Sequence, residues 1–231
     1  YENDGDWKFG LLSVGGGRRW VEIEGGFEEE EDFFDAKNGL RMDNEKVHDA
    51  RKEEMNFVKN IDLFDVRDVE ECVRETGKAP VTTRWVDGMK KADGEEFVRS
   101  RWVARDFKVK GERDREDFFA AMPPLEAKKC LVRIAVAMRR KWRGRRKVRI
   151  LFLDVRKAHM NPRLKESEKV YVDLPEGFEQ EGKCARLKRW LYGMRPAAQA
   201  WEEDYTAKME SIGCKKGQAA VTCFYNAETQ I

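Results

Sequence analysis

Short runs of β-branched and aromatic residues separated by turns occupy the middle of the chain, and two long helical periods follow them. Val81 to Val86 and Glu96 to Ala104 have the composition of strands, and Lys91-Ala92-Asp93-Gly94 between them supplies the residues of a tight hairpin turn. From Glu126 to Trp142, the residues Leu131, Ile134, Ala135, Met138 and Trp142 recur at intervals of three and four. That period predicts a helix with one apolar stripe packed on something flat. Pro123-Pro124 bars an earlier start, Gly144 ends the pattern, and Val148 to Leu153 then reads as a strand buried on both faces. A second helix is predicted from Pro196, suited to a first turn, to Gly213, a terminator, with Ala197, Trp201, Tyr205 and Ile212 along its inner side. The folded part is expected to begin near Glu53, and no internal repeat is visible.

Charge changes the picture of what precedes it. Residues 1–60 hold 9 Lys and Arg against 16 Asp and Glu, a net of −7, whereas the remainder holds 37 against 28, a net of +9. The first part also contains the triplet Gly15 to Gly17, the pair Gly25-Gly26 and the acidic run Glu28 to Asp32. A composition of that kind buries little and repels itself, so residues 1–52 are expected to form a flexible, disordered acidic leader ahead of a folded portion over 53–231. The glycine triplet is not a phosphate loop, because no Gly-Lys-Ser/Thr follows it. The chain opens on Tyr1 rather than Met, as a fragment would.

Other features narrow the function class. The longest apolar run near the middle is Ile150 to Leu153, far short of the roughly 20 residues of a membrane helix, so no membrane partner is expected. The five cysteines form no CxxC pair and the two histidines, His48 and His159, stand apart, which excludes a disulfide framework and a structural zinc site and favours a reducing, intracellular setting. Cys130 and Cys223 lie on apolar stretches and are expected to be core thiols. No serine sits in GxSxG and no cysteine has a matching histidine, so acyl-transfer hydrolysis has no support. Arg139 to Arg149 places eight basic residues in eleven, among them Arg139, Arg140, Arg143, Arg145, Arg146 and Lys147, around Trp142. Such density either decorates a solvated helix end or shares its surface with a polyanion, of which nucleic acid is the commonest. Asp154 closes the apolar stretch LFLD, where its carboxylate either caps a helix or joins an ion pair, or offers a hard oxygen ligand to Mg2+.

Taken in order, several segments resemble the reverse transcriptase of Ty1/copia-type retrotransposons, over about residues 53–231. A Trp85-Val86 strand is followed by Lys90, Lys91 and Asp93-Gly94, and VRSRWVARDF is similar to the family's RYKARLVAKGF. EDFFAAMPPLEAKKCLVRIAVAMR and LDVRKAH are similar to DYxETFAPVxxxxxIRxLLALA and LDVKTAF. VYVDLPEGFE and CARLKRWLYGMRPAAQAW are similar to VYMxQPPGFE and VCKLKKSLYGLKQAPRAW. The resemblance implies an α+β fold, the fingers and part of the palm of a right-hand polymerase, and an RNA-directed DNA polymerase working by two-metal nucleotidyl transfer. Its implied partners are an RNA or DNA template-primer, deoxynucleoside triphosphates and the remainder of a Pol polyprotein, in a cytoplasmic particle or the nucleus.

Carried over position by position, the resemblance makes Asp154 a catalytic, metal-binding carboxylate, with the Val155 carbonyl beside it holding Mg2+. It places Arg101, with Lys90 or Lys91, on the nucleotide triphosphate, and sets Tyr192, Gly193 and Arg195 at the nucleotide pocket. His159 stands where the family has an aromatic, usually Phe, against the ribose. The family's second metal motif, an Asp-Asp pair in a hairpin of the palm, is not found; Tyr171-Val172-Asp173-Leu174 lacks the second Asp and is expected to be an ordinary strand. This chain by itself is therefore expected not to polymerise. The competing reading is a decayed or repurposed remnant that binds nucleic acid without catalysis.

Overall fold

The computed structural model describes residues 17–23, 26–107, 123–141, 153–218, 220–226 and 228. It is a mixed α and β structure with several small sheets, divided into two compact units: residues 1–106 with 164–194, and residues 107–163 with 195–231.

In the first unit, β1 (Gly17–Ile23) and β2 (Gly26–Phe34) pair antiparallel, and β3 (Arg41–Met42) adds to the end of β2. Asp43 starts α1 (Asn44–Asn60) by accepting the Lys46 N–H on its side chain at 3.2 Å, as an N-cap should. The helix buries Val47, Arg51, Glu54, Met55 and Val58, one face at helical spacing. Next come β4 (Phe64–Asp68) and α2 (Val69–Thr76), the latter ended by Gly77 in the left-handed region at φ +69°. β5 (Thr83–Ala92) and β6 (Glu95–Ala104) form a hairpin, and β7 (Tyr171–Val172) and β8 (Lys183–Leu187) join β4 in a sheet of order β4-β8-β7. Val81 ties the start of the hairpin strand to that sheet: its N–H donates to Tyr171 O and its carbonyl accepts from Asp173 N–H, both at 2.9 Å. Tyr171-Val172 is thus the ordinary buried strand that the sequence implies. Trp102, Leu63, Val172, Cys184 and Leu191 lie fully buried in this unit.

The expected leader over 1–52 is corrected by this arrangement. The 52/53 boundary falls inside α1, and Phe33, Met42 and Val47 form a buried cluster within the stretch read as flexible. The charge count misleads because two of its charged residues, Arg51 and Glu54, are buried rather than solvated.

In the second unit, α3 (Leu125–Lys141) and α4 (Ala197–Ser211) lie close to the two predicted helical spans, followed by the short pair β9 (Lys215–Lys216) and β10 (Phe224–Tyr225). Tyr205 meets Phe224 edge to face at 5.3 Å, and Asn226 Nδ2 donates to Ile212 O at 2.9 Å, closing the end of α4 over Gly213. Three expectations change here. The apolar stripe of α3 is open, with Leu131 and Ile134 at least half exposed, because no described element packs extensively on it, and Cys130 is exposed with them. Ile212 is exposed rather than on an inner side: it is the C-cap residue of α4, held by its own carbonyl, which accepts from Asn226 Nδ2, and not by its side chain. Of the strand read over Val148 to Leu153, residues 148–152 lie outside the described residues, and Leu153 is an exposed residue in irregular backbone. Trp142 and Gly144 also lie outside them.

Two polar groups join the elements of the first unit. Arg51 of α1, with a side chain 6% exposed, donates from Nη2 to Asp87 Oδ2 of β5 at 2.7 Å and from Nε to Asp87 Oδ1 at 3.4 Å. Its guanidinium also lies 4.5 Å from the Phe33 ring centroid, 5.2 Å from that of Trp85, and 3.5 Å from Glu176 Oε2. Asp35, just past β2, accepts Met89 N–H on Oδ2 at 2.6 Å and Lys37 and Asn38 N–H on Oδ1 at 2.7 and 3.2 Å. Those three backbone donors, Met89 foremost, hold the Asp35 carboxyl below its ordinary pKa.

Removing one partner of a buried pair leaves the other charge uncompensated. Arg51→Met is therefore expected to destabilise the fold by about 3–5 kcal/mol, whereas Lys183→Met, which opens the exposed Lys183–Asp68 pair at 2.7 Å, should cost no more than about 1 kcal/mol; urea unfolding followed by circular dichroism compares them. The lowered Asp35 pKa adds stability that is present above the unfolded-state pKa and is lost as pH falls through the folded one. Asp35→Asn should accordingly flatten the loss of stability on acidification below about pH 4, measured as the urea midpoint at a series of pH values.

Candidate functional site

The β5–β6 hairpin turns at Asp93 and Gly94, both at positive φ (+53° and +89°), the backbone of a type I′ turn and the reason Asp-Gly stands there. Its register pairs Arg84 with Val103, Val86 with Arg101, Gly88 with Arg99 and Lys90 with Phe97. Directly paired residues share a face and successive residues alternate, so these eight positions form one face. The other face carries Trp85, Asp87, Ser100, Trp102 and Ala104, all buried. Lys90 therefore lies on the face of Arg101, two rungs or about 13 Å of strand rise away, while Lys91, paired with Glu96, lies on the opposite one.

The Tyr192-Gly193 turn docks on the far end of this hairpin. Val103 and Tyr192 form a parallel bridge, and Ala104 N–H donates to Tyr192 O at 2.7 Å. Gly193 has φ +83°, and a Cβ there would run into the Ala104 carbonyl oxygen and come within 2.6 Å of Val103 Cγ1. Only glycine fits so close to the strand. The Tyr192 phenol is pushed above its ordinary pKa by burial and by the Glu54 carboxylate of α1, against the opposing cations Arg101 and Arg99. The structure thus brings Arg101, Tyr192 and Gly193 together and adds Arg99 and Glu54, which sequence reasoning missed. The i, i+2 spacing of Arg99 and Arg101 in a strand was the available signal for the former. For Glu54, inside an acidic stretch, there was none.

The remaining expected site residues belong to the second unit. Asp154 and Val155 are exposed in irregular backbone after Leu153, and His159 sits half-buried in a single 3-10 turn, Ala158–Met160, that packs against α4. Burial holds the His159 imidazole below its ordinary pKa, favouring the neutral ring. Arg195 is half-buried in the turn before α4. Arg139 is exposed near the C-terminal end of α3, where a cation complements the helix dipole. Arg143, Arg145, Arg146 and Lys147 lie outside the described residues, and Arg140 is placed only as a backbone position of that helix. Among the described residues no group of three or more His, Cys, Asp or Glu is arranged to hold a metal ion. Asp154 has the hard oxygen chemistry Mg2+ prefers, but one carboxylate and a neighbouring carbonyl do not complete its octahedral shell.

The close fit of the glycine turn can be measured. Gly193→Ala should cost the strain of a left-handed non-glycine residue, about 1–3 kcal/mol, plus the displacement of the Tyr192 turn from Ala104. Gly177→Ala, at φ +82° with nothing within 4 Å of its added Cβ, should cost the strain alone. A larger drop in urea midpoint for the first than for the second is expected.

The reverse transcriptase (RNA-dependent DNA polymerase) family matches residues 69–230. The chain is also similar to the retrovirus-related Pol polyprotein from transposon TNT 1-94 of Nicotiana tabacum, 27% identical over 140 residues. That alignment covers 58% of this chain and 10% of the tobacco protein, so the chain spans only a small part of that relative's length. No solved structure matches it. With the match extending from α2 through the hairpin and the Tyr192-Gly193 turn to the end of the described residues, this chain belongs to the reverse transcriptase (RNA-dependent DNA polymerase) family.

Proposed function

We propose that this chain is fingers and part of the palm of a right-hand polymerase, an RNA-directed DNA polymerase domain within a copia-type retrotransposon Pol polyprotein. The observation that carries the reading is the docking of the Tyr192-Gly193 turn on the strand that bears Arg101, which fixes a phenol and a guanidinium beside one another on one rigid edge. In this reading Arg101 holds the triphosphate of an incoming deoxynucleotide, the bidentate task for which a guanidinium is suited. Tyr192 and Gly193 line the nucleotide pocket; the resemblance, position by position, gives Arg195 the role of added positive charge and His159 that of the residue set against the ribose. The neutral imidazole is smaller than the family's aromatic at that position, so discrimination against the 2′-hydroxyl is weaker.

Asp154 and the Val155 carbonyl are the residues of this chain that would hold Mg2+. The chemistry that Mg2+ would supply there is charge neutralisation at the phosphates. The basic residues Arg139, Arg140, Arg143, Arg145, Arg146 and Lys147 hold the template-primer by its phosphates. Such a domain works inside the cell, in a cytoplasmic particle or the nucleus.

Primer extension on an RNA template by the polyprotein carrying this domain tests the reading. Asp154→Asn should lower the extension rate by about 100-fold or more, the scale of losing one electrostatic stabiliser of a transition state, with template-primer affinity within about two-fold, the change expected of a residue outside the phosphate contacts. Undiminished extension would reject the role given to Asp154.

A further inference from the structure

One side of the β4 backbone is unused. In the sheet of order β4-β8-β7, β4 pairs only with β8, while β7 is bridged on its far side by Val81, so among the described residues the sheet stays open at β4. Lys188 N–H donates to Leu63 O and Val69 N–H to Gly182 O at the two ends of the β4–β8 ladder. Antiparallel bonding alternates along a strand, so Asp65 and Arg67 also bond inward, and Phe64 and Val66 direct their N–H and C=O groups outward. Exposed valines border this edge, Val66 at 41% and Val73 of α2 at 48%. On α2, Cys72 is buried with Tyr171 and Cys184, and Glu71 and Glu75 accept from the Tyr171 hydroxyl on the β7 side. Glu71 and Val73 sit about 100° to either side of Cys72, so Val73 lies away from β7, on the side of the open edge. An open ladder edge bordered by apolar side chains is a template for another strand.

The charges of β4 select that strand. An antiparallel β4 from a second copy can meet this one about a two-fold axis at Asp65, at Val66 or at Arg67. The first choice sets two carboxylates against each other and the third sets two guanidiniums together. With the axis at Val66, Asp65 lies opposite the partner's Arg67, Arg67 opposite the partner's Asp65, and the two valines exchange their outward N–H and C=O groups. Within one copy Arg67 meets Asp65 only at 3.7 Å, and both side chains are about two-fifths exposed, so the guanidinium keeps donors for a second carboxylate. Because α2 lies over β4 and β8, a strand spacing of about 4.8 Å sets the two α2 helices about 10 Å apart, a normal packing distance, with their Val73 side chains toward each other.

We propose that β4 is a homodimer interface: two copies of this chain pair antiparallel about Val66, joining their sheets into one, with the α2 helices alongside. A strand of five residues buries a modest area, so the dimer is a weak, reversible one. None of the residues given a role toward nucleotide, metal or template lies on β4 or α2, and the pairing does not depend on the polymerase reading.

Sedimentation velocity of the full chain over a concentration series is expected to show a reversible monomer–dimer equilibrium. Val66→Pro removes an outward N–H and leaves the bonds to β8 in place; it should weaken the dimer by at least about ten-fold, the scale of two lost hydrogen bonds, one from each copy. Val73→Lys, at an exposed helix position, should weaken it as well. Asp65→Lys and Arg67→Glu each oppose like charges at two rungs and should each be monomeric alone. Mixed in equal amounts they should associate, because both rungs of the mixed pair again oppose unlike charges. Circular dichroism melts matching the unsubstituted chain establish that each variant is folded. A monomer at every concentration, a dimer indifferent to Val66→Pro and Val73→Lys, or two folded charge variants that fail to associate on mixing would overturn the interface.

Discussion

A guanidinium buried among two aromatic rings and a carboxylate fixes where α1 meets the hairpin. Arg51 reaches from the middle of the helix to Asp87 on the inner face of β5, and the faces of Phe33 and Trp85 lie against it. A charge withdrawn from water in this way is costly unless its hydrogen bonds and counter-charge are nearly ideal. The two-point contact with Asp87 meets that condition, and the rings add attraction that does not require water. The same residues are then coupled outward. Trp85 Nε1 donates to Glu176 O at 2.9 Å and the Glu176 carboxylate approaches Arg51, so helix, hairpin and the loop after β7 share one polar centre. Asp35 braces the same strand two residues further along, through the Met89 amide.

From that centre the hairpin's two faces acquire different tasks. The inner face is committed to packing, with Trp102 buried and meeting Phe64 edge to face at 5.4 Å. The outer face is thereby left with every residue that the packing did not need, and these include the four cations. The far end of the hairpin is closed by the Tyr192-Gly193 turn, whose backbone completes the bonding of β6 at Ala104. A loop held by main-chain bonds to a strand, itself held by a buried ion pair, is a stiff mounting for groups that must stay within reach of a ligand.

How much of this could be read from the residues depended on whether local chemistry or tertiary context made the decision. The hairpin was legible because Asp-Gly between alternating apolar residues has few other conformations, and α4 was legible because Pro196 and Gly213 mark its ends. The N-terminal elements were not, since Arg51 and Glu54 count as solvent-loving charges until a partner 36 positions downstream in Asp87 takes up the arginine. The stripe of α3 was legible as a helix period but not as a buried surface, because periodicity states which residues share a side and not what lies opposite. The pairing of Lys90 with Phe97 and Lys91 with Glu96 decides which lysine shares a face with Arg101, and only the register, not the dipeptide, contains that choice.

The family match begins at residue 69, whereas α1 ends at Asn60. The helix that neutralises Asp87 therefore lies wholly outside the segment by which the chain resembles its relatives. An excised 69–230 segment would keep the hairpin, the glycine turn and the basic residues but would leave Asp87, 2% exposed in the intact fold, without the guanidinium that pairs it. Boundaries drawn from similarity alone would thus cut through the thermodynamic unit, and the N-terminal helix has to travel with the polymerase-like portion as its missing counter-ion.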